Sequence, residues 1–309
     1  MNILLTGGAG FIGSHLAAGL LQRGHQVVVL DDLSNGRREN VPSGCAFIEA
    51  DAGIPATLGL LPRVDAVVHF AAQSSGPASA DLPYKDLQAN AASTLLLSRW
   101  CVQHGIRRFV YASSMAIYGN PPALPVPEDA PQLPLSYYGV SKLTSEHLLR
   151  VAAQDGLRPT SLRFFSVYGP GQNLDNVKQG IVSIYLAYMV RGDHVPVTGS
   201  LDRFRDLVHV DDVVRLCAAA VERESTPEAA YNAGGGRPTT VRELLQALIA
   251  AADLPRDFPI VELPGSTSDQ FGLYADTTRV RRDFGWTPSV ALADGLKEMA
   301  RWARSLQSA

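Results

Sequence analysis

The 309-residue chain reads as an α/β protein, a parallel sheet wrapped by helices. Three observations predict this. Short apolar runs alternate with amphipathic stretches through the first half of the chain, as expected when helices cross between parallel strands. A glycine-rich turn, Thr6-Gly7-Gly8-Ala9-Gly10-Phe11-Ile12-Gly13, joins the first apolar run to the first amphipathic stretch. After about residue 166 the alternation lapses, and no internal repeat or low-complexity linker follows. That change predicts a compact C-terminal extension of one globule.

The elements follow from these patterns. Strands are predicted at 3–5, 27–30, 47–49, 66–70, 109–112 and 160–164, and helical spacing covers 12–22, 87–103 and 138–153. The 87–103 segment carries Leu95, Leu96, Leu97 and Trp100 on more than one face, which suggests burial under a partner subunit as well as on its own sheet. Residues 120–134 hold six prolines without helical period and read as an ordered loop near the site. Further on, 181–190 is a helix candidate, and Thr240-Val241-Arg242-Glu243 is a capping box opening another. Asp276 and Ser289 are plausible N-caps for two final helices, the first stopped by Gly285.

Composition bounds the function. Hydrophobic residues are 46% and charged residues 18%, a soluble globular balance. A formal net charge of −3 suggests no nucleic-acid partner. Cys45, Cys101 and Cys217 are widely spaced and form no Cys-x-x-Cys pair, which argues against a disulfide framework or a metal site. The opening Met1-Asn2 has no signal-peptide pattern, and the first apolar run breaks at Gly7, far short of a membrane span. A cytoplasmic protein is expected.

The glycine-rich turn fits Gly-x-Gly-x-x-Gly from Gly8 and Gly-x-x-Gly-x-x-Gly from Gly7. Such glycines let backbone approach a pyrophosphate at a helix N-terminus. Alone, the motif is equally a tight strand-to-helix turn. The context favours a dinucleotide, because Asp31 ends the next strand 18 residues after Gly13. A carboxylate there accepts hydrogen bonds from the adenosine ribose and repels a 2′-phosphate, so NAD is expected over NADP. Arg37 and Arg38 suit either a 2′-phosphate or a solvated loop, and Asp51 suits either an adenine contact or a helix N-cap. Far downstream, Tyr138 and Lys142 stand four residues apart and share a helical face. The ammonium would favour the phenolate, lowering a pKa of about 10 when unperturbed. Such a tyrosine takes the proton from an alcohol as hydride leaves for a nicotinamide.

At this point the chain resembles the extended short-chain dehydrogenase/reductases, specifically the NAD-dependent sugar-nucleotide epimerases and dehydratases. The resemblance spans nearly the whole length. It rests on the glycine-rich turn, Leu-Asp-Asp-Leu-Ser-Asn-Gly at 30–36, His-Phe-Ala-Ala-Gln at 69–73 and Asn90. It continues through Ser-Ser-Met-Ala-Ile-Tyr-Gly at 113–119, Tyr-Gly-Val-Ser-Lys at 138–142, Phe-Phe-Ser-Val-Tyr-Gly-Pro at 164–170 and Arg-Asp-Leu-Val-His-Val-Asp-Asp at 205–212.

The resemblance implies a Rossmann-type doubly wound parallel sheet with a smaller α/β C-terminal substrate lobe. The NAD-binding domain would span 1–165, with 206–234 returning to it, and the nucleotide-sugar lobe 166–309. NAD would meet Gly7, Gly10, Phe11, Ile12 and Gly13 at the turn, then Asp31, Asp32, Asp51 and Ala52 at the adenosine end. Phe70, Ala71, Ala72 and Gln73 would run under it, with Asn90, Ser113, Phe165 and Val167 completing the site. Tyr138 would be the base, Lys142 its partner on the nicotinamide ribose, and Ser114 the hydroxyl on the reacting alcohol, with adjacent Ser113 leaving that choice open. Ser75, Ser114, Tyr138, Ser166, Arg205 and Asp269 would hold the nucleotide sugar. Arg205 would pair with the diphosphate, unless it is bound to Asp202 or Asp206. Asp211 is read as a cap and His209 as a packed imidazole.

Met115-Ala116 stands where related dehydratases and decarboxylases carry an acidic residue, so the pattern most resembles 4-epimerases, in which Ser, Tyr and Lys suffice. Three positions depart from the family. Ser166 replaces an Asn, Ser266 replaces a second arginine, so that Arg203, Lys178 or another basic residue compensates or the leaving half differs from UDP, and Leu273 stands where sugar size is gated. The expected function is an NAD-dependent UDP-hexose 4-epimerase. The alternatives are an atypical NAD-dependent dehydratase or dehydrogenase, or a non-catalytic NAD-sensing scaffold. A homodimer is expected through the 87–103 and 138–153 helices.

Overall fold

In the computed structural model, residues 1–176, 179–192, 194–265 and 270–306 are described. The aliphatic runs of the first half become buried parallel strands. Strand β1 (Asn2–Thr6) leads into helix α1 (Phe11–Gln22), β2 (Gln26–Asp31), β3 (Ala46–Glu49) and β4 (Ala66–His69). Short helices α2 (Gly76–Asp81) and α3 (Pro83–Leu87) then run through a π-helical turn (Gln88–Ala92) into α4 (Ser93–Gln103). Strand β5 (Arg108–Ser114), helix α5 (Tyr137–Ala152) and strand β6 (Arg158–Phe164) complete this half.

The chain continues through β7 (Ser166–Tyr168), α6 (Ile181–Arg191), β8 (Val195–Thr198), β9 (Phe204–Arg205), β10 (Leu207–His209) and α7 (Val210–Glu222). Strands β11 (Ala230–Ala233) and β12 (Thr239–Thr240), helix α8 (Val241–Ala251), strand β13 (Ile260–Leu263) and helices α9 (Thr278–Phe284) and α10 (Leu292–Ser305) follow. The main sheet has seven parallel strands in the order β11-β6-β5-β4-β1-β2-β3. Strand direction of travel reverses beside β1, whose neighbours are β2 and β4, and a crevice opens at the carboxyl ends of such strands. Two-stranded pairs β7-β10, β9-β12 and β8-β13 stand outside this sheet.

Helix α7 packs against α1, and Val213, Leu216 and Cys217 join Leu16 and Leu20 in one apolar core. A second core, including Leu186, Leu245, Leu248, Leu296 and Met299, unites α6, α8 and α10. All six predicted strands are present, each within a residue or two of its expected ends. The Thr240–Glu243 capping box is formed, and Gly285 ends α9 in the left-handed region at φ 61. Asp276 stands one residue before the N-cap of α9, which is Thr277, and accepts the Thr278 N–H at 2.8 Å.

Three local readings are corrected. Ser289 caps no helix, because its hydroxyl donates to buried Asp212 and α10 begins later, after Ala291. His209, not Asp211, caps α7: its Nδ1 accepts the Asp211 N–H at 3.4 Å while the Asp211 side chain turns to solvent. The helix at 87–103 is not uniform, for its first turn is the wider π form. Among the described residues no helix is long and apolar enough to cross a membrane.

Candidate active site

The sheet's carboxyl ends open into a cleft of about 1420 Å³. One side of it is the glycine-rich turn. Gly7 has φ +72, and a Cβ there would lie 2.5 Å from the Ala71 nitrogen, so the turn rests directly on the 70–72 backbone. Thr6 Oγ1 fastens the same join by accepting the Phe70 and Ala71 N–H groups at 3.2 and 3.0 Å. Gly13 lets α1 start against this turn, since its Cβ would meet the Gly7 oxygen at 2.1 Å. Helix α1 has no side-chain cap and no acidic residue in its first turn, so its N-terminus faces the cleft ready for an anion.

Asp31 ends β2 on the cleft wall and is held by the Ala9 and Leu33 N–H groups, both at 2.9 Å. Burial pushes its carboxyl up, and those two N–H groups pull it back. Asp32 holds the Ser34 N–H at 3.0 Å and Asp51 the Gly53 N–H at 2.7 Å, and both line the cleft. Asp51 therefore shapes a turn and caps no regular helix. Phe11, Ile12, Gly10, Ala52, Phe70, Ala71, Ala72, Gln73, Ser75, Phe165, Ser166 and Val167 also line the cleft.

The opposite wall carries the polar chemistry. Ser136 caps α5 by accepting the Gly139 N–H at 3.1 Å, which sets the helix so that Tyr138 and Lys142 face the cleft. The two serines ending β5 separate in role. Ser113 donates to Glu146 at 2.5 Å, whereas Ser114 accepts the Ala116 N–H at 3.2 Å and stands near enough to Tyr138 to pull its phenol down. Lys142 is buried, donates to the Ala112 carbonyl at 2.8 Å and lies 5.8 Å from the Tyr138 ring centroid.

The electrostatics differ from the sequence expectation. Burial pushes the Tyr138 phenol up to about 12, with Ser114 pulling it down and the Asp86 charge pushing it further up. Burial takes Lys142 down to about 7, and Asp86 pulls it back up. Lys142 alone therefore does not make Tyr138 acidic, because both groups are taken out of water together.

Other predicted residues are placed plainly. Arg205 lines the cleft, and its Nη1 donates to the Phe204 carbonyl at 2.7 Å. Asp206 points the other way, as successive strand residues do, and accepts the Gly235, Gly236 and Ala275 N–H groups. Asp202 pairs with Arg242 at 3.6 Å. Met115 and Ala116 sit on the cleft wall, so that wall has no carboxylate at those positions. Arg203 donates to the Ser200 carbonyl at 3.2 Å and to the Thr198 carbonyl. Asp269, Ser266 and Lys178 lie outside the described residues.

Two expectations are corrected. Asn90 is 1% exposed and does not line the cleft: the π-helical turn aims its amide at Asp86 and Ser141 behind α5. Leu273 is also sealed, packed with Ile117, Tyr118, Val126 and Phe165, so it does not border the cleft. Sequence reasoning missed the buried Arg163–Glu146 pair, with Nη2–Oε2 at 2.8 Å and Nε–Oε1 at 3.0 Å. Its signal was available, since Glu146 follows Lys142 by one helical turn. The same Arg163 donates to Tyr118 and to the Glu128 carbonyl, ordering the proline-rich loop over 120–134.

The comparisons with known proteins agree with this geometry. The family model described as the NAD dependent epimerase/dehydratase family matches residues 3–234. The chain belongs to that family. A UDP-glucose 4-epimerase of Azospirillum brasilense is 35% identical, over 99% of this chain and 93% of its own length. The solved UDP-glucose 4-epimerase of Thermotoga maritima, with UDP-glucose, is 35% identical with TM-score 0.93, covering 99% of this chain and 100% of that one. The Thermus thermophilus UDP-glucose 4-epimerase, in complex with NAD, is 34% identical with TM-score 0.90, covering 98% and 99%. NAD is the cofactor of this epimerase/dehydratase chain. Its residues fit the group, because the glycine turn is packed tightly enough to present the uncapped N-terminus of α1 to the cleft, and Asp31 is fixed at the edge of the same cleft.

Proposed function

We propose that the protein is an NAD-dependent nucleotide-diphosphate-sugar 4-epimerase acting on a UDP-hexose. One observation carries this reading. Ser114, Tyr138 and Lys142 converge on the cleft, while the neighbouring positions hold Met115 and Ala116. An elimination needs a further acid or base beside the sugar, and neither of those side chains can serve. Inversion at one carbon needs none.

When bound in this cleft, NAD would supply the hydride acceptor and donor for a reversible oxidation at C4 of the sugar. Tyr138 takes the C4 hydroxyl proton and gives it back, and Ser114 holds the reacting oxygen in line with the phenol. Lys142 supports the phenolate as it forms. Arg205 meets the diphosphate, a planar bidentate task suited to guanidinium. Residues 1–165 with 206–234 would hold NAD, and 166–309 would supply the sugar side.

Incubation with UDP-glucose, UDP-N-acetylglucosamine or UDP-glucuronate plus NAD, followed by NMR of the anomeric protons, tests the reading. A mixture of C4 epimers is expected from at least one of them. A keto-deoxy or vinylic product, or net accumulation of reduced cofactor, would overturn it.

A further inference from the structure

Lys142 and Glu146 lie one turn apart on α5 and stitch that helix to consecutive residues of β5. Lys142 donates to the Ala112 carbonyl at 2.8 Å, and Glu146 Oε1 accepts the Ser113 hydroxyl at 2.5 Å. The next residue of the strand is Ser114, and one turn earlier on the helix is Tyr138. Both border the cleft. Arg163, near the end of β6, holds Glu146 from behind with Nη2–Oε2 at 2.8 Å and Nε–Oε1 at 3.0 Å. The side chains of this pair are only 4% and 11% exposed. The Arg163 Nη1 donates to the Tyr118 hydroxyl at 2.8 Å and to the Glu128 carbonyl at 2.6 Å. Ser114 is therefore gripped on both sides by one buried ion pair, through Ser113 before it and Tyr118 after it.

Stability alone gives little reason for an ion pair at this place. Taking both charges out of water offsets most of their attraction, and apolar residues of similar volume often serve as well. A guanidinium–carboxylate fork supplies direction, because two parallel hydrogen bonds fix the two planar groups edge to edge. Neither Glu146 nor Arg163 borders the cleft, so neither meets substrate or cofactor. What the pair controls is where its neighbours stand.

We propose that Glu146 is a positioning residue which, clamped by Arg163, sets the register of α5 on β5 and so the placing of Ser114 against Tyr138 and Lys142. The inference rests on the reading of those three as the catalytic group. Without the Glu146 carboxylate, Ser113 loses its acceptor and Arg163 loses the partner that aims it at Tyr118. The strand end that carries Ser114 is then free to shift against the helix that carries Tyr138. A misplacement of about 1 Å between reacting groups lowers a rate by about 100-fold.

Epimerisation kinetics of the NAD-loaded protein, measured well below each variant's melting temperature, test this. Glu146→Ala is expected to lower kcat by about 100-fold with KM for the UDP-hexose and affinity for NAD nearly unchanged. Glu146→Gln, whose amide oxygen still accepts from Ser113, should recover most of that loss. Arg163→Lys keeps the charge but not the fork, and should lower kcat by about tenfold. Leu157→Ala serves as the stability control. It opens a cavity just before β6, at the amino end of the sheet, and should lower Tm while leaving kcat in place. If folded Glu146→Ala behaves like that control, or loses only KM, the pair is a fastener and the proposal is overturned. Should Glu146→Ala fail to fold, Arg163→Lys decides in the same assay, where an unchanged kcat sinks the idea. Tyr138→Phe separates the two readings. Retained turnover there defeats the catalytic assignment, whereas an inactive Tyr138→Phe beside a fully active Glu146→Ala defeats the positioning role alone.

Discussion

Tyr138 and Lys142 share a helical face, yet burial works on them in opposite senses. It holds the phenol up at about 12 and the ammonium down at about 7, so each resists the charged form that proton transfer needs. A buried lysine also acts on stability. Its folded value of about 7 lies below the ordinary 10.5, so the unfolded chain binds more protons between those values, and stability rises with pH across that window. Replacing Lys142 by Met removes this dependence. The melting temperature of Lys142→Met relative to wild type, both free of NAD, should therefore increase as pH falls from about 10.5 to about 7 and level off below it. A difference that stays constant with pH would contradict the burial of a titrating lysine. The two serines make the same point on a smaller scale. Adjacent in sequence, they take different partners, Ser113 donating to Glu146 and Ser114 accepting the Ala116 N–H.

Helix α5 distributes its work by periodicity. Tyr138 and Lys142 face the cleft, Ser141 and Ser145 face α3 and the π-helical turn, and Glu146 reaches Arg163 at the end of β6. One helix thereby joins the site to its support. The turn before α1 is a stricter device, because its glycines are required by contact distances. Gly13→Ala would bring a methyl to 2.1 Å from the Gly7 carbonyl, and the turn must open to relieve it. Fluorescence titration with NAD should show affinity reduced by about 100-fold or more, equivalent to roughly 2.7 kcal/mol. Unchanged affinity would show that the cofactor does not rest on this turn.

At the level of the whole molecule, β11 and α7 come back to the first half of the chain after α6, β8 and β9 have been built outside it. The cleft therefore gathers Arg205 and Ser166 opposite Ser114 and Tyr138. The outer faces of α4 and α5 expose apolar residues beside Arg99, His147 and Arg150. Leu97 and Trp100 are taken by the protein's own core, while Leu95, Tyr137, Val140 and Val151 stay exposed. We infer that these helices pair with those of a second copy. Light scattering at micromolar concentration should give about twice the 33.1 kDa chain mass, and a monomer there would remove the assignment.

Local spacing by itself determined the alternating strands and helices, the glycine-rich turn, Asp31 at the end of β2 and the Tyr138/Lys142 face. Each is a pattern within one element or across one turn, where backbone geometry leaves few choices. Only the tertiary structure decided that Ser113 is taken by Glu146, that Asn90 and Leu273 lie behind the cleft wall, and that Asp86 is buried against Ser141. These depend on residues brought together from distant parts of the chain. Burial, which reverses the expected effect of Lys142 on Tyr138, arises from that packing and has no signature in the spacing of two residues.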